Sequence, residues 1–167
     1  DVAILGQTPY VLITAADGPY QSIRDLVIAA KSKPNEIPFA SAGVGSSTHL
    51  AAEYFNQIMG IKLVHVPYKG SGPALQDLMA GQVDITFDSG VAFPLIRTSR
   101  VKLLGVASDK RSEFFPESNS YSDIGIKNAG LDIWFGLWAP NGVPEEINNR
   151  MIKEVTKALA SPSIRQR

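Results

Sequence analysis

Ser41-Ala42-Gly43-Val44-Gly45-Ser46-Ser47-Thr48 is the stretch in this sequence best suited to chemistry. Two glycines are followed by three hydroxyl residues and then by a helical pattern. Glycine lets the backbone turn tightly and approach a ligand closely. A helix start offers unpaired N–H groups and a partial positive charge, which together suit an anion. A hydrogen bond to a charged group contributes roughly 1.5–3 kcal/mol, so two or three hold a carboxylate without Arg or Lys. A single serine here would need no more explanation than helix capping. The cluster as a whole points to ligand binding.

The other candidates are weaker. His49 falls in the first turn after the cluster, where it either donates to a ligand or packs against the loop. His65 lies inside an apolar run and reads as structural. These are the two histidines of the chain, and their spacing fits no metal motif. Tyr68-Lys69-Gly70-Ser71-Gly72 forms a second loop leading into a helix, with Tyr68 as its contact or as a plain connector. Asp84 and Asp88 share a face of one short strand but lie apart along it. Asp88, at the strand end, is placed to accept a hydrogen bond from a ligand hydroxyl or amine, and Asp84 reads as a turn residue.

Enzymatic and nucleotide chemistries fit poorly. No Gly-x-Ser-x-Gly elbow occurs. Gly43-Val-Gly45 begins like a dinucleotide fingerprint, but Thr48 stands where the third glycine belongs. The acidic residue expected about 20 positions on is replaced by Leu63-Val-His-Val-Pro. No P-loop lysine follows. The expectation is a binding protein that needs no cofactor.

Composition narrows the class further. Of 167 residues, 44% are hydrophobic and 19% charged, enough for a packed core. Lys plus Arg and Asp plus Glu balance at 16 each, which argues against a nucleic-acid partner. The absence of cysteine excludes disulfides and thiol catalysis. No apolar run approaches the ~20 residues of a membrane span, so direct membrane insertion is not expected. The first residues do not read as a signal peptide, and a mature exported protein would look the same.

The elements that must position these residues follow an alternating pattern. Val2–Leu5 and Tyr10–Thr14 read as two strands or one broken strand. Ser22 caps a helix carrying Ile23, Leu26, Val27 and Ala30, with Asp25 in capping-box spacing. Strands are expected at Ile37–Ala40, Leu63–Val66, Val83–Phe87 and Leu103–Ala107. Helices between them are expected at Thr48–Met59, Pro73–Ala80 and, shorter, Val91–Ile96. This is an α/β fold with a parallel-rich sheet flanked by helices. The three loops named above all fall beyond the strands' carboxyl ends, where such sheets bind ligands. Ser108–Asn128 is polar, with one helical turn near Tyr121–Ile124. Leu131–Ala139 reads as a strand. Pro144–Leu159 reads as a helix burying Ile147, Met151, Val155 and Leu159, and Pro162–Arg167 closes no element. The last helix lacks a strand to pack under and the first strands lack a helix. Either a second domain is missing, or both ends pack on their own sheet.

Four motifs occur in order: Ser-Ala-Gly-Val-Gly-Ser-Ser-Thr-His-Leu (41–50), His-Val-Pro-Tyr-Lys-Gly (65–70), Asp-Leu-Met-Ala-Gly-Gln-Val-Asp (77–84) and Trp-Phe-Gly-Leu-Trp-Ala-Pro-Asn-Gly-Val-Pro (134–144). With them the chain resembles the tripartite tricarboxylate transporter substrate-binding proteins, the TctC or Bug family, from about Ile4 onward. The resemblance implies a type II periplasmic-binding-protein-like domain. It also implies capture of a small carboxylate, a di- or tricarboxylate or an amino acid, for delivery to membrane transporter subunits. It implies a periplasmic location, with the signal peptide and most of the first domain lying outside this chain.

On that pattern residues 1–16 are hinge strands and 17–107 the ligand-binding domain. Residues 108–140 form a loop and return strand, and 141–167 a helix of the first domain. Ser41, Ala42, Gly43, Gly45, Ser46, Ser47 and Thr48 carry over as the carboxylate grip, with His49, Tyr68 and Asp88 beside them. The effector domain of a LysR-type regulator, which shares this fold, is the alternative reading.

Overall fold

The structure is a computed structural model that describes residues 2–127 and 129–165. Its strands are β1 (Ala3–Ala15), β2 (Pro38–Ser41), β3 (Val64–Pro67), β4 (Ile85–Asp88), β5 (Val101–Ala107) and β6 (Asp132–Leu137). Its helices are α1 (Ile23–Ser32), α2 (Ser47–Met59), α3 (Ser71–Met79), α4 (Phe93–Arg97), α5 (Glu145–Leu159) and α6 (Pro162–Arg165). A 3-10 turn lies at Ser122–Ile124.

The chain divides into two compact units. One is Pro9–Ile133; the other joins Asp1–Thr8 to Trp134–Arg167. The boundary falls within both β1 and β6.

In the larger unit the sheet order is β3-β2-β4-β1-β5. β2 runs parallel to β3 and to β4. β1 lies antiparallel between β4 and β5, with Val11 opposite Asp88. The parallel-rich sheet expected from the alternation is therefore present, with one reversed strand in its middle. The first two apolar runs form a single 13-residue strand rather than two. β6 pairs with β1 outside the main order.

Composition explains why β1 is central. Val11, Leu12 and Ile13 have no exposed surface. A strand apolar at consecutive positions must be covered on both faces. Leu12 packs with Ile23, Leu26 and Ala30 of α1 and with Ala51, Ala52 and Phe55 of α2. Val11 and Ile13 pack with Ala74, Leu75 and Leu78 of α3 and with Phe93 of α4. The sheet is thus sandwiched between two helix layers. At Gly105 of β5, a Cβ would meet Ile23 Cδ1 at 2.5 Å, so a larger residue here would make the Ile23 side chain shift.

Helix ends follow their local signals. Ser22 Oγ accepts the Asp25 N–H, and the Asp25 carboxylate accepts the Gln21 N–H. Gly60, at φ +60°, ends α2 in the left-handed region. Asp84 lies, as expected, in the bend before β4, and it also ties elements together. Its carboxylate accepts the Tyr20 hydroxyl at 3.0 Å, and its carbonyl accepts the Thr14 hydroxyl at 2.7 Å. Burial, reinforced by that carboxylate, pushes the Tyr20 phenol well up.

The smaller unit differs in character. The Val2 N–H donates to the Leu137 carbonyl. Trp134 and Trp138 lie 5.4 Å apart and are both more than half exposed. With Val2, Ala3, Ile4, Gln7 and Leu137 they line an apolar pocket of about 560 Å³. The burial expected along α5 is absent. Ile147 is 51% exposed, and Met151, Val155 and Leu159 are only half-buried. Amphipathic spacing shows which face a helix offers, not what covers it. A short helix, α6, follows at Pro162–Arg165, and residues 166–167 lie outside the described residues, as does Asn128.

Candidate functional site

The three candidate loops converge because their strands are parallel neighbours. The 42–46 turn follows β2, the Tyr68 loop follows β3, and Asp88 ends β4. β1 runs the other way, so its buried tyrosine, Tyr10, arrives at the same edge of the sheet, one residue from the Val11–Asp88 pair.

The turn holds itself together. Gly43 and Gly45 have φ of +130° and +75°, values that side chains with a Cβ rarely adopt. A Cβ on Gly43 would also press on the Tyr68 carbonyl at 3.3 Å. The Ala42 N–H donates to Thr48 Oγ1 at 2.9 Å, and the Gly43 N–H to Ser41 Oγ at 3.1 Å. The Gly45 N–H donates to His49 Nδ1 at 3.1 Å. Ser46 caps α2 by accepting the His49 N–H, and its hydroxyl donates to the Gly43 carbonyl at 2.7 Å.

This changes the division of labour expected from the sequence. The N–H groups of Ala42, Gly43 and Gly45 are turned inward, onto side chains of the same loop. Ser41 and Thr48 are buried and serve the turn. The groups left without such partners inside the turn are those at the helix start. Ser47 is exposed, and the N–H groups of Ser47 and Thr48 have no carbonyl four residues back within α2.

The Ser47 side chain is hydrogen-bonded to the Tyr10 hydroxyl. Burial pushes the Tyr10 phenol up, the Ser47 bond draws it down, and the nearby Asp88 charge adds to the rise. Sequence reasoning missed Tyr10 because nothing local marks it. Only the antiparallel insertion of β1 brings it here.

Both histidines reach the site. Their rings stack at 3.9 Å, and Phe39 stacks against His65 at 4.9 Å. His65 Nε2 lies 2.6 Å from Ser41 Oγ, so a residue read as merely structural braces the loop directly. Burial and the neighbouring His49 pull His65 below the usual imidazole range, against a smaller upward pull from Glu53. This Ser–His contact is not poised for nucleophilic attack. Ser41 has no exposed surface for a substrate to reach.

Tyr68 and Asp88 have duties within the chain. The Tyr68 hydroxyl donates to the Asp77 carboxylate of α3 at 2.7 Å. Asp88 is 2% exposed, and its Oδ1 accepts the N–H groups of Gly90 and Ala92, both at 2.8 Å. It pins the β4–α4 turn. Among the described residues no three His, Asp or Glu side chains gather as a metal site.

A converging set of loops at the carboxyl edge of an α/β sheet, with an exposed helix start at its centre, defines a ligand-binding class of protein. Comparison with known proteins specifies the family. Residues 1–167 match the tripartite tricarboxylate transporter family receptors, TctC, and the chain belongs to that family. It is 37% identical over 165 residues to a UPF0065 protein from the tcbD-tcbE intergenic region of Pseudomonas sp. strain P51, covering 98% of this chain and 49% of that protein. It is 31% identical to BugT of Bordetella pertussis, covering 98% and 50%.

Among solved structures, MatC of Rhodopseudomonas palustris with bound malate superposes with a TM-score of 0.92 at 30% identity, covering 98% of this chain and 56% of that one. An R. palustris protein with adipate gives 0.91 at 30% identity, covering 98% and 55%. The arginine-, lysine- and histidine-binding protein ArtJ of Geobacillus stearothermophilus, 10% identical at a TM-score of 0.57 and covering 96% and 57%, shares the fold alone. These neighbours are binding proteins rather than enzymes. The chain spans about half the length of the curated relatives it matches.

Proposed function

We propose that this chain is the carboxylate-gripping part of an exported solute-binding protein. In this reading the protein captures a small di- or tricarboxylate, or an amino acid, in the periplasm and presents it to a membrane transporter of the tripartite tricarboxylate type. The observation that carries the reading is the self-braced turn at 42–46. Its internal hydrogen bonds brace the start of α2, where the Ser47 and Thr48 N–H groups have no carbonyl four residues back within the helix and the Ser47 and Tyr10 hydroxyls lie together. Rigid donors aimed in advance lose little on binding, and a helix start favours a negative charge. The malate and adipate bound by relatives of the same fold support a carboxylate.

The direct grip then belongs to Ser47, Thr48 and Tyr10. Ser41, Ala42, Gly43, Gly45, Ser46 and His49 shape the turn, and Tyr68 and Asp88 hold its flanks. Residues 17–107 form the ligand-binding lobe and 1–16 the hinge strands. Residues 108–140 return the chain, and 141–167 belong to a first domain completed by sequence outside this chain. The exposed apolar face of α5 and the exposed tryptophans of the smaller unit support that division. Family membership favours transport over a regulator's effector domain.

A thermal-shift screen of the full-length protein against malate, adipate, citrate, succinate, aspartate and glutamate tests the reading. Stabilisation by at least one of them is expected. No shift with any of them at millimolar concentration counts against it.

A further inference from the structure

The two histidines of the sequence, 24 positions and one helix apart, form a single stack at the ligand turn. His49 stands on the first turn of α2, His65 on β3 and Phe39 on β2, so the stack joins the helix to two strands. The Gly45 amide can only donate, so the His49 Nδ1 that it meets at 3.1 Å must carry a lone pair. In the neutral ring the proton then sits on Nε2, which faces Glu53 Oε1 at 3.9 Å.

We propose that His49 is the positioning residue of the ligand turn, holding Gly45 through an unprotonated Nδ1, and that its stacking on His65 makes the turn's geometry depend on the proton count of the pair. The inference rests on the carboxylate reading only in taking this turn as the ligand's. A proton on Nδ1 sets N–H against N–H, and the Gly45 bond is lost.

The groups facing the stack divide by element. α2 contributes Glu53, whose Oε1 lies 3.9 Å from His49 Nε2. β3 contributes His65, whose own charge opposes a second proton. β2 contributes Phe39 and the Ser41 hydroxyl, neither of which titrates in this range. Ser41 does not force the state of His65, because a hydroxyl both donates and accepts. Two like charges at ring-stacking distance repel, so the pair takes up its protons in separate steps. The Gly45 bond holds while His49 Nδ1 is bare and is lost when a proton occupies it.

Imidazole nitrogen NMR of the 167-residue chain, without ligand, from pH 8.5 to 4.5 tests this on two ring systems. Three results are expected. At high pH His49 is the Nε2–H tautomer. The Gly45 amide proton shifts with the same midpoint as the His49 ring. The two rings do not take up their protons independently of each other.

An Nδ1–H tautomer at high pH, a Gly45 amide that stays still while His49 titrates, or two rings titrating independently would each overturn the proposal. His49→Asn puts a non-titrating carbonyl oxygen in place of Nδ1. It should hold the Gly45 amide near its high-pH position throughout, and an amide that still titrates in this variant contradicts the proposal. Since no ligand is present, a failure here leaves the carboxylate reading standing, and a failed carboxylate screen leaves this result standing.

Discussion

Thr48 Oγ1 accepts the N–H of Ala42 at 2.9 Å, closing the ligand turn from inside the helix that follows it. Thr48 is 5% exposed, so water does not replace this bond if the hydroxyl is lost. Thr48→Val keeps the shape and removes the acceptor. It should destabilise the chain by about 1–3 kcal/mol, the penalty for stranding a buried donor. Thr48→Ser keeps the acceptor and should cost less than half as much. Urea unfolding of the two variants beside the parent checks the ordering.

Tyr10→Phe tests the group that the fold, not the local sequence, brings to the site. It removes a hydroxyl bonded to Ser47 and leaves the ring in the core. In the full-length protein, affinity for the best carboxylate of the screen should fall by about threefold to tenfold, as suits one uncharged hydrogen bond. Calorimetric titration reads it. An unchanged affinity removes Tyr10 from the grip.

His65 makes stability depend on pH with a definite sign. Its folded value lies below the usual imidazole value, so the unfolded chain binds this proton more readily. The contribution is complete above about pH 6.5, the ordinary imidazole value, and is lost as the pH falls from there toward the lower folded value. Between pH 7.5 and 5 the parent's urea midpoint should therefore fall further than that of His65→Gln, which has nothing to titrate. Equal falls would show that His65 does not contribute.

How much of this was legible in the sequence depends on how local each feature is. The cap of α1 at Ser22 and the stop of α2 at Gly60 are set by neighbours in the chain, and both were readable. The glycine–hydroxyl stretch before α2 was readable as a tight turn leading into a helix start. Which N–H groups face inward was not, because the acceptors on Ser41, Thr48 and His49 are fixed only once the turn has folded. The continuous apolar run Val11–Ile13 marks a strand covered on both faces. Its antiparallel place between β4 and β5 is a long-range pairing that no local pattern encodes. The Ile147 stripe of α5 was legible as a face, but the surface that covers it does not follow from its own residues.

That contrast yields a prediction on the domain division. Leu12→Ala, in a side chain with no exposed surface, should cost about 2–5 kcal/mol in this chain and in the full-length protein alike. Ile147→Ala should cost no more than about 0.5 kcal/mol in this chain, where the residue is 51% exposed. In the full-length protein it should cost at least about 1 kcal/mol if the first domain covers α5. Chemical denaturation of both lengths decides it. An equally small cost in both places residues 141–167 outside any buried first-domain core.

The central claim is that the start of α2 grips a carboxylate. It is tested most directly by amide NMR of the full-length protein titrated with whichever screened carboxylate stabilises it most. The Ser47 and Thr48 amide protons should show the largest downfield shifts, saturating with the binding curve. A carboxylate that binds while those two amides stay still, or a protein that binds none of the panel, contradicts the account.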